Sequence, residues 1–89
     1  MACVFCDSSG GALIWQDALC RVVHPGEPDY PALCRVIWNR HVCEMTDLTA
    51  PERERFMRVV FAVEQALRDM LQPDKINIAS LGNAVPHLH

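Results

Sequence analysis

Lys75-Ile76-Asn77-Ile78-Ala79-Ser80-Leu81-Gly82-Asn83-Ala84-Val85-Pro86-His87-Leu88-His89 is the stretch on which the reading of this chain turns. Residues 75–80 alternate polar and apolar side chains in strand fashion, Gly82-Asn83 marks a turn, and a further strand is expected to begin near Pro86. If residues 86–89 are extended, His87 and His89 point to one face and Leu88 to the other, because side chains alternate along a strand. Two imidazoles side by side suit phosphoryl chemistry. A neutral ring nitrogen can attack phosphorus while its neighbour hydrogen-bonds the phosphate oxygens. Read alone, the same His-x-His is equally surface decoration or the stub of a purification tag, since short histidine motifs recur without function.

Upstream of this segment, Thr46-Asp47-Leu48-Thr49-Ala50-Pro51-Glu52 has the marks of a helix start. Thr49 and Glu52 stand at capping-box spacing, and proline is tolerated in a first turn. From there Phe56, Val59, Val60, Val63, Ala66, Leu67 and Met70 recur at intervals of three and four, predicting one apolar face that ends at Gln72-Pro73-Asp74. Arg53, Arg55, Arg58 and Arg68 read as its solvated side. Residues 12–16 and 19–24 are β-prone runs on either side of Asp17-Ala18 and predict a hairpin. Pro25 to Pro31, with three prolines and a glycine, must be a loop. Leu33 to Trp38 predicts a third strand, with Trp15 and Trp38 in core or dimer packing. Three strands, one long helix, a strand and the start of another give an α+β fold: an antiparallel sheet, about five strands when complete, with a single helix packed on it.

At 89 residues, 51% of them hydrophobic and 21% charged, the chain is expected to form a single domain over residues 1–89. A net charge of −3 argues against a protein whose main work is neutralising a nucleic-acid backbone. Neither a leader with a basic start nor a long uncharged apolar run is visible, which predicts a soluble cytoplasmic protein with no membrane partner. Five cysteines are an odd number and point to free thiols or a metal site. Cys3-Val4-Phe5-Cys6 has the spacing at which two thiolates can grip one tetrahedral zinc, and His41 and His87 could complete the set. The alternatives are two reduced cysteines without metal, or a redox pair. The redox reading is the weaker, because the motif is not expected to follow a strand and open a helix. Cys20, Cys34 and Cys43 read as small buried hydrophobes, and His24 as a surface residue.

From Pro73 to His89 the sequence resembles the approach to the signature of the histidine triad superfamily, His-φ-His-φ-His-φ-φ with φ apolar. The amino-terminal Cys-x-x-Cys, the Arg40-His41 pair after a strand and the long central helix also fall where that family has them. The resemblance implies a nucleotide-binding hydrolase or transferase acting at the α-phosphorus of nucleoside phosphoramidates or dinucleoside polyphosphates. His89 matches the second histidine, the nucleophile that forms a covalent nucleotidyl adduct released by water, and His87 matches the first. Asn77 matches an asparagine near the phosphate, and Asn83 lies where relatives often carry an amide. Some members carry a structural zinc on an N-terminal cysteine pair, a histidine after the third strand and the first triad histidine, here Cys3, Cys6, His41 and His87. No organic cofactor is implied, and a homodimer through the helix and an adjoining strand is.

Two departures from the pattern stand out. The third histidine would lie two residues beyond His89, so the catalytic strand lacks its end in this sequence. The aspartate that usually holds the ribose is replaced by a loop beginning His24-Pro25-Gly26, leaving Glu27 or Asp29 to substitute. The competing reading is a catalytically impaired module that keeps a nucleotide pocket or a zinc staple.

Overall fold

The structure, a computed structural model, describes residues 3–89. A helical turn, α1 (Val4–Asp7), precedes strands β1 (Ala12–Gln16), β2 (Cys20–His24) and β3 (Arg35–Trp38). A 3-10 turn at Met45–Asp47 leads into the long helix α2 (Ala50–Leu71). The strands form one antiparallel sheet in the order β1-β2-β3. This is the expected α+β arrangement of an antiparallel sheet and one long helix.

Local chemistry explains the joints. At the β1–β2 turn the Asp17 carboxylate accepts from the backbone amides of Leu19 (2.8 Å) and Cys20 (2.9 Å), closing the hairpin around its own side chain. The start of α2 is the predicted capping box, with Thr49 Oγ1 accepting from the Glu52 amide and Glu52 Oε1 from the Thr49 amide. At its other end Gln72 adopts a left-handed conformation, φ 48°, and the helix stops before Pro73.

Strand alternation divides the core in two. On the helix side Cys20, Val22, Val36 and Trp38 pack with Leu48, Phe56, Val59 and Leu88, and the Trp38 and Phe56 rings meet edge to face at 5.8 Å. On the opposite face Val23 and Ile37 are covered by Phe5 of α1. Gly10 lets α1 lie that close: at φ +84° a Cβ would stand 2.8 Å from Ile37 Cδ1 and 3.0 Å from Phe5.

Several expectations are corrected. Residues 75–80 are not a strand; they run without regular structure, and no backbone hydrogen bond ties residues 73–84 to the rest of the described chain. Alternating polarity allows a strand, but pairing also needs a neighbouring edge within reach, and a cavity separates this segment from β3. Gly82-Asn83 is correspondingly not a hairpin turn; Asn83-Ala84 is a simple bend. Residues 86–89 are likewise unassigned to a strand, although Leu88 is held on both sides, its carbonyl accepting from Trp38 N and its amide donating to Val42 O. The described residues thus contain three strands of the sheet. The third begins at Arg35, two residues later than expected. Trp38 is buried as expected but Trp15 is 41% exposed, Cys34 is half-buried and Cys43 lies at the surface. On α2 the apolar face is covered at Phe56 and Val59 but exposed at Ala66 and Met70.

Candidate functional site

Four residues distant in sequence meet on the sheet face opposite α2. Cys3 caps α1 and Cys6 lies within it, while His41 follows β3 and His87 comes from the terminal segment. Their ligand atoms all lie within 4.8 Å of one another. The His87 Nδ1 stands 3.4 Å from Cys3 Sγ, 3.5 Å from Cys6 Sγ and 3.2 Å from His41 Nδ1, and Cys6 Sγ is 3.4 Å from His41 Nδ1. Zinc–nitrogen bonds of about 2.0–2.1 Å and zinc–sulfur bonds of about 2.3 Å, in a tetrahedron, put ligand atoms roughly 3.3–3.8 Å apart. The four residues therefore have the donor types and spacing to hold such an ion.

The tautomer of His87 supports the same use. Its Nε2 is 2.6 Å from the carbonyl oxygen of Trp38, an atom that can only accept, so the proton sits on Nε2 and the Nδ1 lone pair faces the cluster. The ring is 1% exposed. Burial lowers its pKa below the ordinary histidine value, which favours the neutral, ligating form. Both ring nitrogens thus have partners.

His89 is placed differently. It is half-buried, and its ring meets Phe5 edge to face at 4.7 Å, the side on which His87 also meets Phe5 at 5.9 Å, whereas Leu88 enters the helix-side core. The two histidines therefore share a face. His89 Nδ1 donates to the carbonyl oxygen of His87 at 2.7 Å, which leaves Nε2 as the ring nitrogen not engaged by that bond. A nitrogen so disposed is free to act as nucleophile or hydrogen-bond acceptor.

A cavity of about 700 Å³ adjoins His89 and is also lined by Asn77 and Asp29. Asn83 and Glu27 lie at the surface outside that lining. The structure brings together all four candidate metal ligands and places His89 and two of the four candidate substrate-binding residues, Asn77 and Asp29, around one cavity.

The chain matches the HIT domain family over residues 9–89. It belongs to that family. A crystal structure of a histidine triad protein from Bradyrhizobium japonicum is similar, with a TM-score of 0.76 and 30% identity over 86% of this chain. The HIT chain described here spans 59% of that protein's length. No curated protein matches it.

One residue important to this HIT site was not foreseen. Arg21 is 8% exposed and has no carboxylate partner among the described residues; it donates through Nε to Ser9 O (2.9 Å), through Nη2 to Phe5 O (2.6 Å) and Ser8 O (3.2 Å), and through Nη1 to Asn39 Oδ1 (2.9 Å). It ties the cysteine-bearing segment to the sheet. The signal was a lone charge inside the apolar run Leu19-Cys20-Arg21-Val22-Val23. The cysteine pair, contrary to expectation, does open a helical turn. At four residues that turn is short, and burial, the largest cause, pushes the Cys6 thiol up rather than down, against a reactive thiolate. His24 is also more engaged than a surface residue, its Nε2 lying 2.7 Å from Pro31 O.

Proposed function

We propose that this HIT domain binds a nucleotide phosphate beside His89 and acts as a hydrolase or transferase at the α-phosphorus of nucleoside phosphoramidates or dinucleoside polyphosphates. The observation that carries this reading is the Nδ1–H of His89 bonded to His87 O, which leaves Nε2 as the ring nitrogen available to a phosphate. In the reaction, Nε2 forms a bond to phosphorus as the bond to the leaving group breaks, and the leaving group takes up a proton. Water then attacks the adduct, releasing the nucleoside monophosphate and regenerating the imidazole. Asn77 and Asp29, on the cavity next to His89, are the side chains proposed to reach phosphate and ribose. Glu27 and Asn83 complete the proposed set as peripheral contacts.

In the same reading Cys3, Cys6, His41 and His87 hold zinc. Four protein ligands leave no open position, so the ion supplies stability and not Lewis-acid chemistry. His87 then serves phosphate chemistry indirectly, by presenting its carbonyl to His89. A homodimer fits the exposed apolar surface that β1 and α2 share, where Ile14, Trp15, Val59 and Ala62 line a groove and Phe61 is 56% exposed. No helix among the described residues is long and apolar enough to cross a membrane; a cytoplasmic location belongs to the same proposal.

The test is incubation with adenosine phosphoramidate, following AMP release. His89→Ala should reduce turnover by at least about a hundredfold, and equal turnover by both proteins would sink the assignment. The second reading, binding without useful catalysis, has in its favour the altered ribose loop that begins His24-Pro25-Gly26. Calorimetric binding of AMP without turnover by the parent chain would select it. A redox role instead predicts a reversible Cys3–Cys6 disulfide, and metal analysis finding one zinc per chain would exclude it.

A further inference from the structure

On the sheet face away from α2, β2 presents Arg21 and Val23 and β3 presents Arg35 and Ile37, because Arg21 pairs with Ile37, Val23 pairs with Arg35, and side chains alternate along each strand. Both charged members of this set are arginines, in a chain whose net charge is −3. Arg21 is saturated by four protein acceptors. Arg35 is not. Its Nη1 donates to Gly10 O at 3.0 Å, and among the described residues no other acceptor and no carboxylate takes up the rest of its guanidinium.

Phe5 fixes where those remaining donors lie. The Arg35 guanidinium carbon is 5.4 Å from the centre of the Phe5 ring, and the His89 ring meets the same Phe5 ring at 4.7 Å. The Gly10 bond and the aromatic contact hold the cation in place before any ligand arrives. It is also half-buried, which strengthens a hydrogen bond to an anion relative to one in open water.

We infer that Arg35 receives a second anionic group of the nucleotide, the phosphoryl group beyond the one that His89 attacks. The inference rests on the phosphate proposed beside His89, and it narrows the substrate to a phosphoanhydride. The choice follows from where charge goes in the reaction. As the bond from His89 Nε2 to phosphorus forms, the bond from phosphorus to the bridging oxygen breaks and its electron pair stays on the departing phosphate. A fixed guanidinium hydrogen-bonds that growing charge without giving up a proton. A departing amine must instead gain a proton, which arginine does not release, so a phosphoramidate draws no such help from Arg35.

The test is calorimetric titration of the chain with AMP and with ADP, in buffer without magnesium so that the second phosphoryl group keeps its charge. The parent should bind ADP about 10–100-fold more tightly than AMP, the size expected of a charge-assisted bond, although net repulsion from an acidic chain favours the reverse. Arg35→Gln should erase that gap while leaving AMP affinity within about twofold. Arg35→Lys keeps the charge but not the fork and should retain only part of the gap, so it carries the test if Arg35→Gln lowers the thermal midpoint. AMP bound with no preference for ADP would overturn this role of Arg35 and leave the proposed chemistry at His89 standing. Equal weakening of AMP and ADP by Arg35→Gln would likewise overturn it, since a merely structural arginine acts on both, and so would a gap undiminished in Arg35→Lys. A parent that binds neither nucleotide would overturn both readings together.

Discussion

The two flanks of β3 were built from similar sequence and ended in different states. Toward β2 every residue of the strand has a partner, and the helix-side core closes over Trp38 with Phe56 and Leu88. Toward residues 75–81 only Trp38 is paired, and side chains as apolar as Leu33, Ile78 and Leu81 stay in solvent. Composition does not separate the flanks. What separates them is whether a backbone lies about 4.8 Å away to complete the ladder, since apolar residues become core only when an element exists to cover them.

The largest test of this contrast is a pair of truncations. Leu88 is 1% exposed within the closed core, so Leu88→Ala should cost about 2–5 kcal/mol in chemical denaturation. Ile78 is 52% exposed on the open flank, and Ile78→Ala should stay within about 0.5 kcal/mol of the parent. Comparable losses at both positions would break the division.

The Cys3, Cys6, His41 and His87 cluster sharpens the same contrast, because it gathers the terminal segment and the closed side at His87. Arg21 positions the cysteines by donating to three carbonyls of residues 5–9, a fork that lysine cannot reproduce. Arg21→Lys should therefore weaken zinc binding by about 10–100-fold in a competition titration, as expected of groups that orient ligands without touching the metal. Unchanged affinity would show that α1 holds its place without Arg21. With zinc held at this cluster as proposed, treating the parent with a chelator should lower the thermal midpoint and accelerate exchange at Leu88 before it affects Val22.

Much of this was legible in the sequence because the signals were local. The Thr49–Glu52 cap, the β1–β2 hairpin and the period of α2 each depend on neighbours within four residues, and all three formed. The Cys3, Cys6, His41 and His87 cluster was also legible, since zinc donors are few in kind. Residues 75–80 were misread for the opposite reason: alternation is a local property, but a strand is a relation between two segments. Arg21 went unremarked because a buried arginine without a carboxylate has no pattern of its own. Its partners are backbone carbonyls that the amino-acid letters do not encode.

The smallest effect should come from Asp17, a carboxylate that joins the hairpin to α2. The Arg55 guanidinium, 2.8 Å away, holds its pKa down to about 2, with the Cys20 and Leu19 amides adding to the effect. A carboxyl whose folded pKa lies below its ordinary value of 3.8 contributes stability above that value and loses it as pH falls toward 2. Arg55 is 42% exposed, so solvent screening keeps the pair's worth to less than about 1 kcal/mol. Asp17→Asn retains an oxygen for the two turn amides and removes only the charge. Its denaturation free energy should fall slightly at pH 7 and converge with the parent's between pH 4 and 2. A gap that persists undiminished at pH 2 would mean that Asp17 acts through the turn alone, and that the closed flank is held by packing without help from this ion pair.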